Sequence, residues 1–165
     1  MANLWIDAQL EEKTWVLWPS VRAFMRINAV LCFSCFSFVA LAADEATLFD
    51  GRGRAVAYIA DDLTIYLWSG TPVAYLDRDS SGGFHVYGFN GKHLGWFTQG
   101  IARDHSGNGA CVIKEVLSST ESEPSKSSKE SKPSKSSKES APSRPSFSRS
   151  WSDTPCQFFL QDGAS

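Results

Sequence analysis

Apolar residues are distributed along the chain in three regimes. Between Ile27 and Ala43 they are almost continuous, broken only by Asn28, Ser34 and Ser37. Between Thr47 and Ile113 they come as short runs separated by glycine-containing turns. Between Leu117 and Phe147 only Ala141 is apolar, and aromatics return at Phe147, Trp151, Phe158 and Phe159. Runs this short, rich in aromatic and β-branched residues and bounded by Gly, read as strands rather than helices.

The middle regime repeats. With Gly53, Gly70, Gly91 and Gly107 as anchors, each glycine follows one short run (Thr47-Leu48-Phe49, Ile65–Trp68, His85–Phe89, Ile101–Asp104) and precedes another. The third residue after each anchor is Val56, Val73, Leu94 or Ala110. The fourth is small every time: Ala57, Ala74, Gly95, Cys111. The fifth is Tyr58, Tyr75, Trp96 or Val112, and the sixth Ile59, Leu76, Phe97 or Ile113. Run, glycine turn, run is the pattern of a β-hairpin. One hairpin cannot bury its apolar face, whereas four related ones can share a core. Small fourth residues suit positions that meet around an axis. The expected architecture is all-β: four tandem β-hairpins over residues 43–116, closed around a pseudo-four-fold axis, with no edge left open.

The stretch Gly91-Lys92-His93-Leu94-Gly95-Trp96-Phe97, the unit Gly70-Thr-Pro-Val-Ala-Tyr-Leu76 and Asp104-His105-Ser106-Gly107 resemble the 4-fold β-flower family of bacterial proteins. The resemblance spans Leu48 to about Val116. The Ser-Trp-Ser and Phe-Phe near the C-terminus are similar to the ends of such proteins. It implies four petal-like hairpins and no particular activity. Ala110 and Cys111 make the fourth repeat the most divergent.

The flanks are of different kinds. The apolar run after Arg22 and Arg26 ends in Ala40-Leu41-Ala42-Ala43, a small-x-small cleavage pattern, so residues 1–42 read as a secretory signal peptide. Asp7, Glu11 and Glu12 are foreign to such a leader, and a start at Met25 gives one of ordinary length. The expected location is therefore outside the cytoplasm, periplasmic or secreted, with membrane contact only through an uncleaved leader. Residues 117–146 are a Ser/Lys/Pro-rich tract with a nine-residue repeat, Pro124–Lys132 then Pro133–Ala141, decaying from Pro142. With almost nothing apolar to bury, the tract is expected to be disordered and to act as a linker. Residues 147–165 form an aromatic end that docks on its own domain or on another protein.

Composition narrows the chemistry. A net charge of −2 argues against a chain built to grip nucleic acid. Cleavage leaves Cys111 and Cys156, a candidate disulfide in an oxidising compartment, although Cys111 also reads as a small buried residue. His85, His93 and His105 fit no compact metal-ligand spacing. His93 lies beside a turn and reads as solvated, and Asp104-His105-Ser106-Gly107 reads as a turn held by its own polar side chains. Tyr66, Trp68, Tyr87 and Phe89 either line a ligand-binding face or belong to the core. No cofactor is implied. The expected function is that of an exported, non-enzymatic β-repeat module engaging an envelope protein or ligand. Two alternatives stand: a metal-dependent or hydrolytic enzyme using His85, His93, Asp104 and His105, and a purely structural module with a self-docking tail.

Overall fold

The computed structural model of the chain describes residues 45–164. The leader assigned to residues 1–42, with its alternative start at Met25, lies outside the described residues. Eight antiparallel strands follow in order: β1 (Ala46–Phe49), β2 (Ala55–Ile59), β3 (Thr64–Leu67), β4 (Pro72–Arg78), β5 (Phe84–Gly88), β6 (His93–Thr98), β7 (Ile101–Arg103) and β8 (Gly109–Ile113). Each pairs with the next, and β8 returns to β1 through Leu48↔Ile113 and Phe49↔Val112, so the sheet closes into a barrel. Closure leaves no unpaired edge.

The four-fold repeat is visible in the register. Within the hairpins, Leu48 faces Ala57, Ile65 faces Ala74, Val86 faces Gly95 and Ala102 faces Cys111. A larger residue thus meets a small one at each station except the last, and these pairs form the buried centre of the barrel. One residue nearer each turn, every hairpin carries a β-bulge. A bulge sets two residues against one. Here it lets Val73, Leu94 and Ala110 join their small neighbours in the same core, with Val56 packed against it. Of the sixth residues, Ile59 and Leu76 belong to that core and Phe97 and Ile113 pack against it, whereas Tyr58 and Tyr75 sit in separate aromatic clusters.

A short helix, α1 (Cys156–Gln161), closes one end of the barrel. Cys156, Phe159 and Leu160 are buried in the central core, and a disulfide joins Cys156 to Cys111 on β8 with their Cα atoms 5.0 Å apart. Just beyond α1, Gly163 rests on Gly88 so closely that a β-carbon on Gly88 would lie 2.2 Å from the Gly163 Cα. No described helix is long and apolar enough to cross a membrane.

The tract expected to be disordered is instead laid around the outside of the barrel. The N–H groups of Glu121, Glu130, Glu139 and Ser148 donate to the carbonyls of Gly53, Gly70, Gly91 and Gly107 at 2.8, 2.9, 2.9 and 3.1 Å. The donors are nine residues apart, and the acceptors are the four anchor glycines. Ser127 and Ser136 donate in the same way to Trp68 and Phe89; the next equivalent is Pro145, which has no N–H to give. The nine-residue repeat is therefore one strap segment per petal. Composition counts apolar burial and misses this. The strap is held by backbone hydrogen bonds and by its cations, neither of which needs apolar side chains.

Gly70 and Gly91 show what the strap demands of the turns. Their φ angles are +90° and +86°, and a β-carbon would lie 2.0 Å from the Ser128 carbonyl oxygen or 2.1 Å from that of Ser137. Only glycine meets both conditions.

Candidate functional site

The outer wall of the barrel carries a belt of aromatic clusters. On β2 and β3, Tyr58 and Tyr66 are register partners with ring centroids 5.7 Å apart, and Trp68 lies 5.4 Å from Tyr58. On β4 and β5, Tyr75 and Tyr87 repeat the pair at 6.1 Å, with Phe89 5.6 Å from Tyr75. The candidate ligand residues Tyr66, Trp68, Tyr87 and Phe89 thus fall into two equivalent clusters. Sequence reasoning missed their partners Tyr58 and Tyr75. Burial pushes the phenols of Tyr58, Tyr75 and Tyr87 up, so the rings stay neutral.

Neither cluster is bare. The ammonium of Lys126 stands 4.4 Å from the Tyr58 ring centroid, and that of Lys135, nine residues on, 3.7 Å from Tyr75. Lys129 and Lys138 lie over Tyr66 and Tyr87, each at 5.4 Å. These are cation–π distances. Carboxylates on the barrel complete the niches. Glu45 pairs with Lys126 and Lys129, Asp62 with Lys132, Asp77 with Lys138, and Asp79 with Arg144. The hydrogen bonds from Lys126 and Lys129 hold the Glu45 carboxyl below its usual range. Burial opposes ionisation of Asp79, but bonds from Ser81 and Gly83 and the charge of Arg144 outweigh it and hold the carboxyl at about 2.

At the third station the chemistry is exchanged between the two partners. On β6 and β7 the register pair is Trp96↔Arg103, so the barrel supplies the cation. The strap, where it had Lys129 and Lys138, now has Phe147, whose ring lies 4.8 Å from the Arg103 guanidinium. Arg103 also donates to the carbonyls of Gly107 and Ser148.

The three histidines, which fit no compact metal-ligand spacing, form a row. Nδ1 of His85 is 3.0 Å from Nε2 of His93, and Nδ1 of His93 is 2.9 Å from Nε2 of His105. His93 is buried rather than solvated, because β6 begins at this residue and the strap roofs it: the His93 N–H donates to the Glu139 carboxylate. Burial first, then the neighbouring His105 and His85, push the His93 imidazole down to about 4, against the pull of Glu139. A neutral ring bonded through both nitrogens must donate on one side and accept on the other. The row therefore has one sense: one outer ring donates to His93 and the other accepts from it. The contacts run pairwise, from His85 to His93 and from His93 to His105. Among the described residues, no group of three His, Cys, Asp or Glu is arranged to hold a metal ion. Asp104 is engaged elsewhere, accepting from the N–H groups of Ser106 and Asn108 in its turn.

The barrel ends differ. One is closed by α1, where Phe158 stands exposed between two clefts. The other is an open apolar mouth of about 260 Å³ lined by Ala46, Ile59, Leu63, Leu76, Phe84, Phe97 and Ile113.

Four hairpins around one axis, each clasped by one strap unit, give the chain its familial character. The profile of the 4-fold beta flower protein family matches residues 46–160. The chain belongs to this family. The match runs past the hairpins through the strap to α1, so the beta flower unit includes the clasp and the plug as well as the petals. No curated protein and no solved structure matches the chain.

Proposed function

We propose that this beta flower protein is an exported, non-catalytic interaction module of the cell envelope. The open mouth carries the reading. It is an apolar concavity at the one end of the barrel that α1 leaves uncovered, and apolar concavities of this kind mark binding sites. Export is supported by the Cys111–Cys156 disulfide, a bond that persists in oxidising compartments. A non-catalytic role is supported by the engagement of the candidate acid–base groups: both nitrogens of His93 are spent within the row, and the Asp104 carboxylate is spent on its turn.

Two measurements test this. Intact mass of the protein from its native host, with and without thiol alkylation, is expected to show a chain beginning near Ala43 with no alkylatable thiol. A full-length chain with all four cysteines alkylated would refute export. A photo-crosslinking residue at Phe84, in the mouth, is expected to give a discrete envelope adduct, whereas one at Ser131 on the strap gives none. Absence of an adduct at Phe84 would refute the mouth as the binding face.

A further inference from the structure

The strap lysines Lys126, Lys129, Lys132, Lys135 and Lys138 are spaced by three residues, and every one of them meets the barrel. Three residues is the turn of an extended polyproline-type chain, which places such residues on a single face. The partners are rings, carboxylates or both: Tyr58 and Glu45 for Lys126, Tyr66 and Glu45 for Lys129, Asp62 for Lys132, Tyr75 for Lys135, and Tyr87 and Asp77 for Lys138. The niches do not depend on the strap for their shape. Tyr58 and Tyr66, and Tyr75 and Tyr87, are fixed by strand register. Charge is complementary as well. Residues 45–116 hold eight acidic and six basic side chains, while residues 117–150 hold seven basic and four acidic ones.

We infer that the acidic, aromatic belt on the barrel wall is a binding site for an extended polypeptide with lysines three residues apart, filled in each molecule by its own strap and able to take the strap of a second copy. The contacts that hold the strap are of an exchangeable kind. The ion pairs are part-exposed on the lysine side, where such pairs contribute little individually, and the N–H groups of Glu121, Ser127, Glu130, Ser136, Glu139 and Ser148 donate to turn carbonyls. What favours a molecule's own strap is its high effective concentration, since the strap is tied at β8 and at Cys156. Weakening the resident strap should therefore expose a site whose ligand is already known in sequence and pose.

The test uses the full chain carrying K126Q/K129Q/K135Q/K138Q and a fluorescent synthetic peptide of residues 124–141. Anisotropy is expected to show saturable binding, at least tenfold tighter to the variant than to the unsubstituted protein. Adding D62N/D77N to the variant should weaken binding at least tenfold. A scrambled peptide of equal composition, with its lysines no longer three apart, should bind at least tenfold more weakly. No saturable binding to the variant would overturn the inference. So would equal binding to the unsubstituted protein, indifference to D62N/D77N, or equal binding of the scrambled peptide, which would reduce the effect to bulk charge. Should the quadruple variant fail to fold by far-UV circular dichroism, K135Q/K138Q takes its place with the same readings.

Discussion

Reducing the Cys111–Cys156 bond should cost the protein about as much stability as a large core cavity, although reduction adds two hydrogens and removes no atom. The bond closes a loop with a sequence separation of 45 that contains the whole strap. On the loop-entropy relation, a closed loop of that size lowers the entropy of the unfolded chain by about 13 cal/mol/K, or about 4 kcal/mol at room temperature. The folded state needs little rearrangement. Both cysteines are fully buried, and free thiols behave there as small hydrophobes. Leu160, also fully buried, continues to plug the barrel when the bond is gone. Urea unfolding followed by tyrosine and tryptophan fluorescence, with and without a phosphine reductant, measures the difference. The expected result is a lower midpoint with an unchanged near-UV spectrum before the transition. A loss below about 1 kcal/mol would refute the reasoning, because it would mean that the strap confines the unfolded chain without the bond. A near-UV spectrum that collapses on reduction would refute it differently, by showing that α1 stays in place only through its covalent tie.

Other expectations follow from the same geometry. Leu160→Ala in the oxidised protein should cost about 2–5 kcal/mol in urea unfolding, as for other buried leucines. Gly91→Ala should destabilise by at least about 1 kcal/mol from the left-handed φ alone and should raise amide exchange at Ser136 and Glu139, since Ser137 must move off the turn. A double-mutant cycle between Lys138→Gln and Tyr87→Leu should return a coupling of about 0.5–1 kcal/mol, diminished by salt. His93 gives a pH dependence with a definite sign. Its imidazole is held at about 4 in the folded chain, below the ordinary value of 6.5, so the unfolded chain binds the extra proton. Its contribution is complete above pH of about 6.5 and is lost as pH falls toward 4, amounting to at most about 3 kcal/mol. His93→Gln should flatten the urea midpoint between those limits; an unchanged slope would refute the assignment.

The barrel was legible because its signal is written twice, as turn glycines and as small residues at one fixed offset. Ala57, Ala74, Gly95 and Cys111 announce an axis before any coordinates exist. The belt was half legible. Tyr66, Trp68, Tyr87 and Phe89 stood out as aromatics, but which pair across strands depends on register, and register brought in Tyr58 and Tyr75. The histidine row was not legible. His85, His93 and His105 come from two strands and a turn, and only the closed barrel aligns them. The strap was misread for a physical reason. Low apolar content predicts disorder when burial is the sole source of order, whereas here the barrel offers carbonyls, rings and carboxylates at a matching interval. A three-residue lysine period inside a nine-residue repeat was the available clue.

The exchange of partners at the third station has a consequence for how the gene can change. A tail of near-identical units laid on near-identical petals would be free to slide by one unit, with little to choose between settings. Moving the strap forward by nine residues would bring Lys138 against Arg103, cation on cation, and moving it back would set Phe147 on Tyr87 with no charge for Asp77. The Arg103–Phe147 pair thus works as a parity mark that leaves one alignment and penalises the rest. Units of the tail and hairpins of the barrel must then be gained or lost together. A duplication confined to the tail would bulge out as spare loop, and a deletion confined to it would leave a petal unclasped. Tail length, which composition alone would class as free to drift, is held to the count of petals.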